Sequence, residues 1–133
     1  MATVTGWLAV TAIVLAVLVP VVHRLRAGQR GAPGSKTIGL HVIVGMTTSA
    51  LAFAHTLVII PSLGSPAAIA GGVAAMMAAG AAFFLLVAHA GLGLQLRDPK
   101  LKARKQKRRM HTTTAVLIVL AVTAHVVLLR RGS

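Results

Sequence analysis

Long apolar runs, broken by short polar or proline-containing segments, dominate the chain. Four of them, at about 6–23, 37–60, 66–96 and 110–129, are near or above the ~20 residues a helix needs to cross the hydrocarbon core. Strands are disfavoured by the same medium, because an open sheet would leave backbone groups unpaired in lipid. The run at 66–96 is longer than required, so it is expected to tilt or to emerge as helix beyond the membrane. Breaks fall at Gly28–Ser35, at the Pro61–Pro66 turn and at Asp98-Pro99, where glycine and proline interrupt helical backbone. Pro20 sits in the last turn of the first run and predicts a kink there. The expected fold is all-α: one transmembrane domain over residues 1–133, an integral membrane four-helix bundle built from two helical hairpins.

Polar residues inside these runs are few, and four of them are histidines in two matched pairs. His41 and His55 lie in the second run, His111 and His125 in the fourth, each pair fourteen positions apart. At about 100° per residue, fourteen steps miss four whole turns by roughly 40°, so both imidazoles of a pair share one helix face. Along the axis they stand ~21 Å apart. The second pair follows the first at a constant offset of seventy residues. Beyond the histidines the halves share little identity, so the repeat is one of geometry. Histidine is costly inside a bilayer, and an intramembrane polar residue commonly marks a pathway or a bound group.

Composition narrows the chemistry. Hydrophobic residues make up 56% of the 133 positions and charged residues 11%, against about 25% charged in soluble chains. There is no cysteine, which excludes disulfides, thiolate metal sites, iron–sulfur clusters and covalent haem attachment. Lys+Arg number 14 against a single acid. Arg24, Arg26, Arg30 and Lys36 lie in one loop. Arg97, Lys100, Lys102, Arg104, Lys105, Lys107, Arg108 and Arg109 lie in another. The positive-inside rule then places both loops in the cytoplasm and both termini outside, with Trp7 at the outer interface. The expected location is the cytoplasmic (inner) membrane of a prokaryote. No basic residue precedes the first run, so it reads as a span rather than a cleavable signal peptide. The basic 97–109 loop lacks aromatic residues for base stacking, so no nucleic acid is expected as a partner. It is read as a topology signal in contact with membrane lipid.

In this orientation the second and fourth runs both lead outward, so His41 and His111 share a depth near the cytoplasmic face. His55 and His125 share one near the outer face. A zinc or copper ion would need further ligands, and the outer layer offers no other histidine, carboxylate or thiolate. A haem iron needs only two axial ligands, since its porphyrin supplies four nitrogens. Room for it would come from small residues: Gly39 and Gly45 near His41, and Gly71, Gly72, Ala74, Ala75, Ala78, Ala79, Gly80, Ala81 and Ala82 in the third run. Small-residue helix packing accounts for the same positions. Lys36, Arg108 and Arg109 stand near the inner histidines, and Arg130 and Arg131 just past His125, where haem propionates would find cations.

His41 and His55 on the second helix, with His111 and His125 on the fourth, make the chain resemble the di-haem b-type membrane cytochromes. The nearest pattern is the four-helix haem-binding core of cytochrome b in the respiratory and photosynthetic bc complexes. The resemblance covers most of the chain as architecture and is specific in those four residues. It implies two non-covalent, bis-histidine haem b groups, the inner held by His41 and His111, the outer by His55 and His125. The chain departs from the bc pattern in having no Pro-Glu-Trp-Tyr-like segment and no acidic residue within a span.

The function expected is electron relay across the membrane, between a quinone or redox-protein donor and an acceptor on the other face. The alternatives are a stand-alone quinone-linked oxidoreductase, resembling superoxide oxidase or a metal reductase, and a haem-free structural or transport subunit. A homo-oligomer and a subunit of a larger redox complex are both open. His89, about two turns before Arg97, is a candidate contact for a quinone or a haem propionate, with hydrogen-bonded packing as its other account. His23 is read as interfacial and Asp98 as a turn residue.

Overall fold

The first and fourth apolar runs become helices that overshoot them at both ends. The computed structural model describes residues 2–69 and 71–132. It contains α1 (Ala2–Ala27), α2 (Lys36–Ile59), a 3₁₀ turn (Ile60–Ser62), one-turn α3 (Pro66–Ile69), α4 (Gly72–Gln95) and α5 (Arg104–Gly132), with no strand among the described residues. Four of these, α1, α2 with the following turn, α4 and α5, are long and apolar enough to cross a membrane. Pro20 does not end α1, which continues as helix to Ala27. Termination comes at Gly28, whose φ of +66° is the left-handed conformation that stops a right-handed helix. At the start of α2, Ser35 Oγ accepts the Ile38 N–H at 3.3 Å and satisfies one otherwise unpaired amide of the first turn.

The third run departs from expectation. It is not one long helix over 66–96 but a single turn, Pro66–Ile69, followed by α4 from Gly72; Ala70, between them, lies outside the described residues. The reason is local, since Gly72 adopts φ +70°, which helical backbone does not accommodate. The excess length is thereby turned aside, leaving a 24-residue helix, about 36 Å long. Gly71 has its own constraint. A Cβ there would lie 2.6 Å from the Ala75 Cβ and 3.1 Å from the backbone nitrogen of Leu129. Gly71→Val is therefore expected to lower stability by about 1–3 kcal/mol, measured by thermal unfolding in detergent. Gly80→Ala, whose added Cβ meets no atom within 4 Å, serves as the control.

Packing is close within two hairpins, α1 with α2 and α4 with α5, and sparse between them, where α2 meets α4 and α1 meets α5. Consequently α2 and α5, the helices carrying the paired histidines, stand on a diagonal of the bundle. The buried residues are mostly small: Ala9, Ala12, Ala75 and Ala82, with Thr48, Leu86, Leu92 and Ile118. Lipid offers no hydrophobic drive for helix association, so close backbone approach through small side chains takes its place. Large apolar residues face outward, with Phe84 73% and Ile43 65% exposed. The seventy-residue offset reappears here. Ala12 and Ala82 are buried counterparts, as are Thr48 and Ile118, each of the latter two seven residues from both histidines of its pair.

The basic 97–109 loop closes on itself. Arg104 donates through Nη1 to the Leu96 carbonyl at 2.9 Å and through Nη2 to the Asp98 carbonyl. The Asp98 carboxylate accepts the Lys100 N–H at 2.8 Å, which is the turn role expected of it.

Candidate functional site

Each of the four paired histidines directs Nδ1 at the other helix of its own hairpin. His41 on α2 contacts the Ala16 carbonyl at 2.9 Å. On α5, His111 contacts the His89 carbonyl at 3.2 Å and His125 the Ala75 carbonyl at 3.0 Å. A carbonyl can only accept, so Nδ1 carries the proton in all three. His55 meets Thr5 Oγ1 at 3.0 Å. That hydroxyl donates its own proton to the Ala2 carbonyl, so it accepts from His55, whose proton also sits on Nδ1.

The tautomer is thus the same four times over, and it leaves the lone pair on Nε2. No hydrogen bond reaches any of these Nε2 atoms among the described residues. Fixing one ring nitrogen through a partner helix while baring the other is the usual preparation of a metal-ligating imidazole.

At the basic end His41 and His111 face one another from diagonal helices, their ring centroids 6.1 Å apart and their planes at 89°. Two imidazoles bound on opposite sides of one metal, each at ~2 Å, have centroids about 6 Å apart. At the far end His55 and His125 occupy the corresponding positions of the same two helices. No group of three or more metal-binding side chains occurs among the described residues, as a site for zinc would require. The donor set fits a group that needs only two protein ligands per metal. Space lies beside His41 as well, since a Cβ at Gly45, one turn on along the same face, would meet no atom within 4 Å.

The remaining sequence candidates fall in different places. His89 stacks on His111, centroids 3.7 Å apart and planes 16° from parallel. Its Nδ1–H donates at 2.8 Å to Thr114 Oγ1, whose own proton goes to the His111 carbonyl. Ring and carbonyl of His89 therefore both brace His111, which favours the packing account of this residue. His23 contacts Thr37 Oγ1 at 3.2 Å, one helical turn before His41 on α2. Lys36 opens α2 and Arg109 precedes His111 by two residues, both exposed at the basic end. Arg130 lies over the Trp7 ring at 5.4 Å, a cation–π contact that ties α5 to α1 at the far end. The small residues of α4 divide, with Ala75 and Ala82 buried and Ala74 and Ala81 exposed.

Sequence reasoning did not single out Thr5, Ala16 or Thr114 as partners of the histidines. The one available signal was Thr5, a hydroxyl in the first turns of α1 at the level His55 reaches. Two apolar grooves flank the seams between hairpins. One, of about 400 Å³ between α2 and α4, is lined by Ser49, Phe53, Phe83 and Leu86 among others. The other, of about 220 Å³, lies between α1 and α5. No family model, curated protein or solved structure matches the chain.

Proposed function

We propose that this chain is a di-haem b-type membrane cytochrome that relays electrons across the bilayer. The observation that carries the reading is the common tautomer. Four histidines on diagonal helices hold Nδ1–H in a hydrogen bond within their own hairpin and keep Nε2 for a metal. His41 and His111 would hold one haem b, and His55 and His125 the other. Bound haem supplies one-electron exchange between ferric and ferrous iron. The chain's residues set the conditions for it. Carbonyl and hydroxyl partners orient the ligands and raise their basicity, and the apolar helices exclude water. Lys36 and Arg109 at one end and Arg130 at the other stand where propionates would require cations. With two histidines available to each haem, binding of oxygen at the metal would be disfavoured and the group would serve electron transfer.

In this reading the basic loops face the cytoplasm of a prokaryotic cell, and the donor and acceptor are a membrane quinone or a redox protein partner. A quinone-linked oxidoreductase working alone is the second reading. It is favoured by the groove between α2 and α4, whose lining residues Phe53 and Val87 are 54% and 59% exposed toward lipid.

The test is a redox difference spectrum of the detergent-purified chain with pyridine haemochrome quantitation. About two haem b per chain with low-spin bands is the expected result. A folded, colourless protein that takes up no added haem defeats the proposal. Turnover of the purified haem protein with a quinone would separate the second reading from a relay.

A further inference from the structure

The acceptors used by the histidines are not equivalent, and the difference traces to a proline. In a helix the carbonyl of residue i accepts from the N–H of residue i+4. His125 and His111 donate to the carbonyls of Ala75 and His89, in α4, where Ala79 and Gly93 supply those N–H groups. There the imidazole shares a carbonyl that is already in use. His41 donates to Ala16, and the residue four positions on is Pro20, inside α1. Proline has no N–H, and its ring crowds the carbonyl of residue i−4. The Ala16 carbonyl is left without its helical donor, on a helix packed against α2. His41 fills that vacancy, at 2.9 Å against 3.0 and 3.2 Å for the two shared carbonyls.

We infer that Pro20 is a positioning residue for His41: it dedicates the Ala16 carbonyl to that imidazole, locking its tautomer and strengthening it as a ligand. The two costs of an interior proline and of a half-buried imidazole N–H offset one another, since each supplies what the other lacks. A stronger hydrogen bond at Nδ1 gives Nε2 more electron-donating character. The inference's consequence for redox potential rests on the haem reading; its claim about His41 does not.

Pro20→Ala tests this without endangering the fold, because alanine restores a helical hydrogen bond and is the better helix former. Thermal stability should hold or rise, the opposite of what loss of a structural residue gives. In the haem-free chain, ¹⁵N-histidine NMR should show a single Nδ1–H tautomer at His41 in the wild type. In Pro20→Ala it should show a mixed or weakened one, with His125 unchanged as internal control. In the haem-loaded chain the midpoint potential of the haem bound by His41 should rise, while that of the other stays. Unchanged His41 nitrogen shifts in Pro20→Ala overturn the inference whatever the haem content. A wild type that binds no haem overturns the proposed function and leaves the NMR comparison to decide the role of Pro20.

Discussion

On the proposed di-haem reading, alanine at His41 or at His111 is expected to remove one and the same haem, and alanine at His55 or at His125 to remove the other. Each single variant should fall from about two haems per chain to about one. The spectrum that survives should be identical within a pair and different between pairs. The pairing follows from geometry. His41 and His111 face one another at 6.1 Å, whereas the fourteen residues between His41 and His55 place them ~21 Å apart along α2, beyond any shared metal. Ligands of one metal act as a unit, so the double variant of a pair should lose no more than either single does, a non-additivity that marks direct coupling. The measurement is haemochrome quantitation of the four singles and two doubles, normalised to folded protein. Equal partial losses with no pairing would assign the histidines to interhelical hydrogen bonds instead.

The parts of this architecture that depend on spacing along one helix were legible without a structure. The four membrane-length helices follow from apolar run length. The shared face of His41 and His55, and of His111 and His125, follows from the helical repeat. Parts that depend on how one helix is rotated against another were not. Ala16, Ala75 and the His89 carbonyl are backbone acceptors, and any residue type presents one, so composition carries no trace of them. Thr114 and Thr5 have ordinary identities for a membrane helix and acquire a role only through the protons they give to the His111 and Ala2 carbonyls. Gly71 and Gly72 looked like two more members of a small-residue stripe. The first is a close approach to α5 and the second a left-handed break, one set by the neighbouring helix and the other by φ. Pro20 was readable as a helix perturbation, but its partner sits on another helix. Trp7 and Arg130 lie at opposite ends of the chain and meet only because the hairpins close on one another.

Gly93→Val and Gly6→Val should separate the two sites from the opposite direction, by filling space instead of deleting ligands. A Cβ built at Gly93 lies 3.2 Å from His111 Cε1, and one at Gly6 lies 3.2 Å from His55 Cε1. Both glycines sit on the first helix of a hairpin against an imidazole from the second, so each is a notch that admits the ring to its hydrogen-bond acceptor. At this distance alanine is accommodated if the ring yields by a few tenths of an ångström, so Gly→Ala should weaken a site without abolishing it. Valine adds two further carbons on the same side, and the strain of about 1–3 kcal/mol expected of overpacking falls on the ligand, the neighbour most able to move. His111 is further held by the stacked ring of His89, so it cannot swing away without losing that contact. Gly93→Val should therefore cost the haem of His41 and His111 and spare the other. Gly6→Val should do the reverse. Gly91→Val, whose added Cβ meets no atom within 4 Å, should retain both. Haem count and thermal unfolding of the three variants decide the matter. Retention of both haems in Gly93→Val and Gly6→Val would mean that the notches do not position His111 and His55, and that their rings reach the metal from elsewhere.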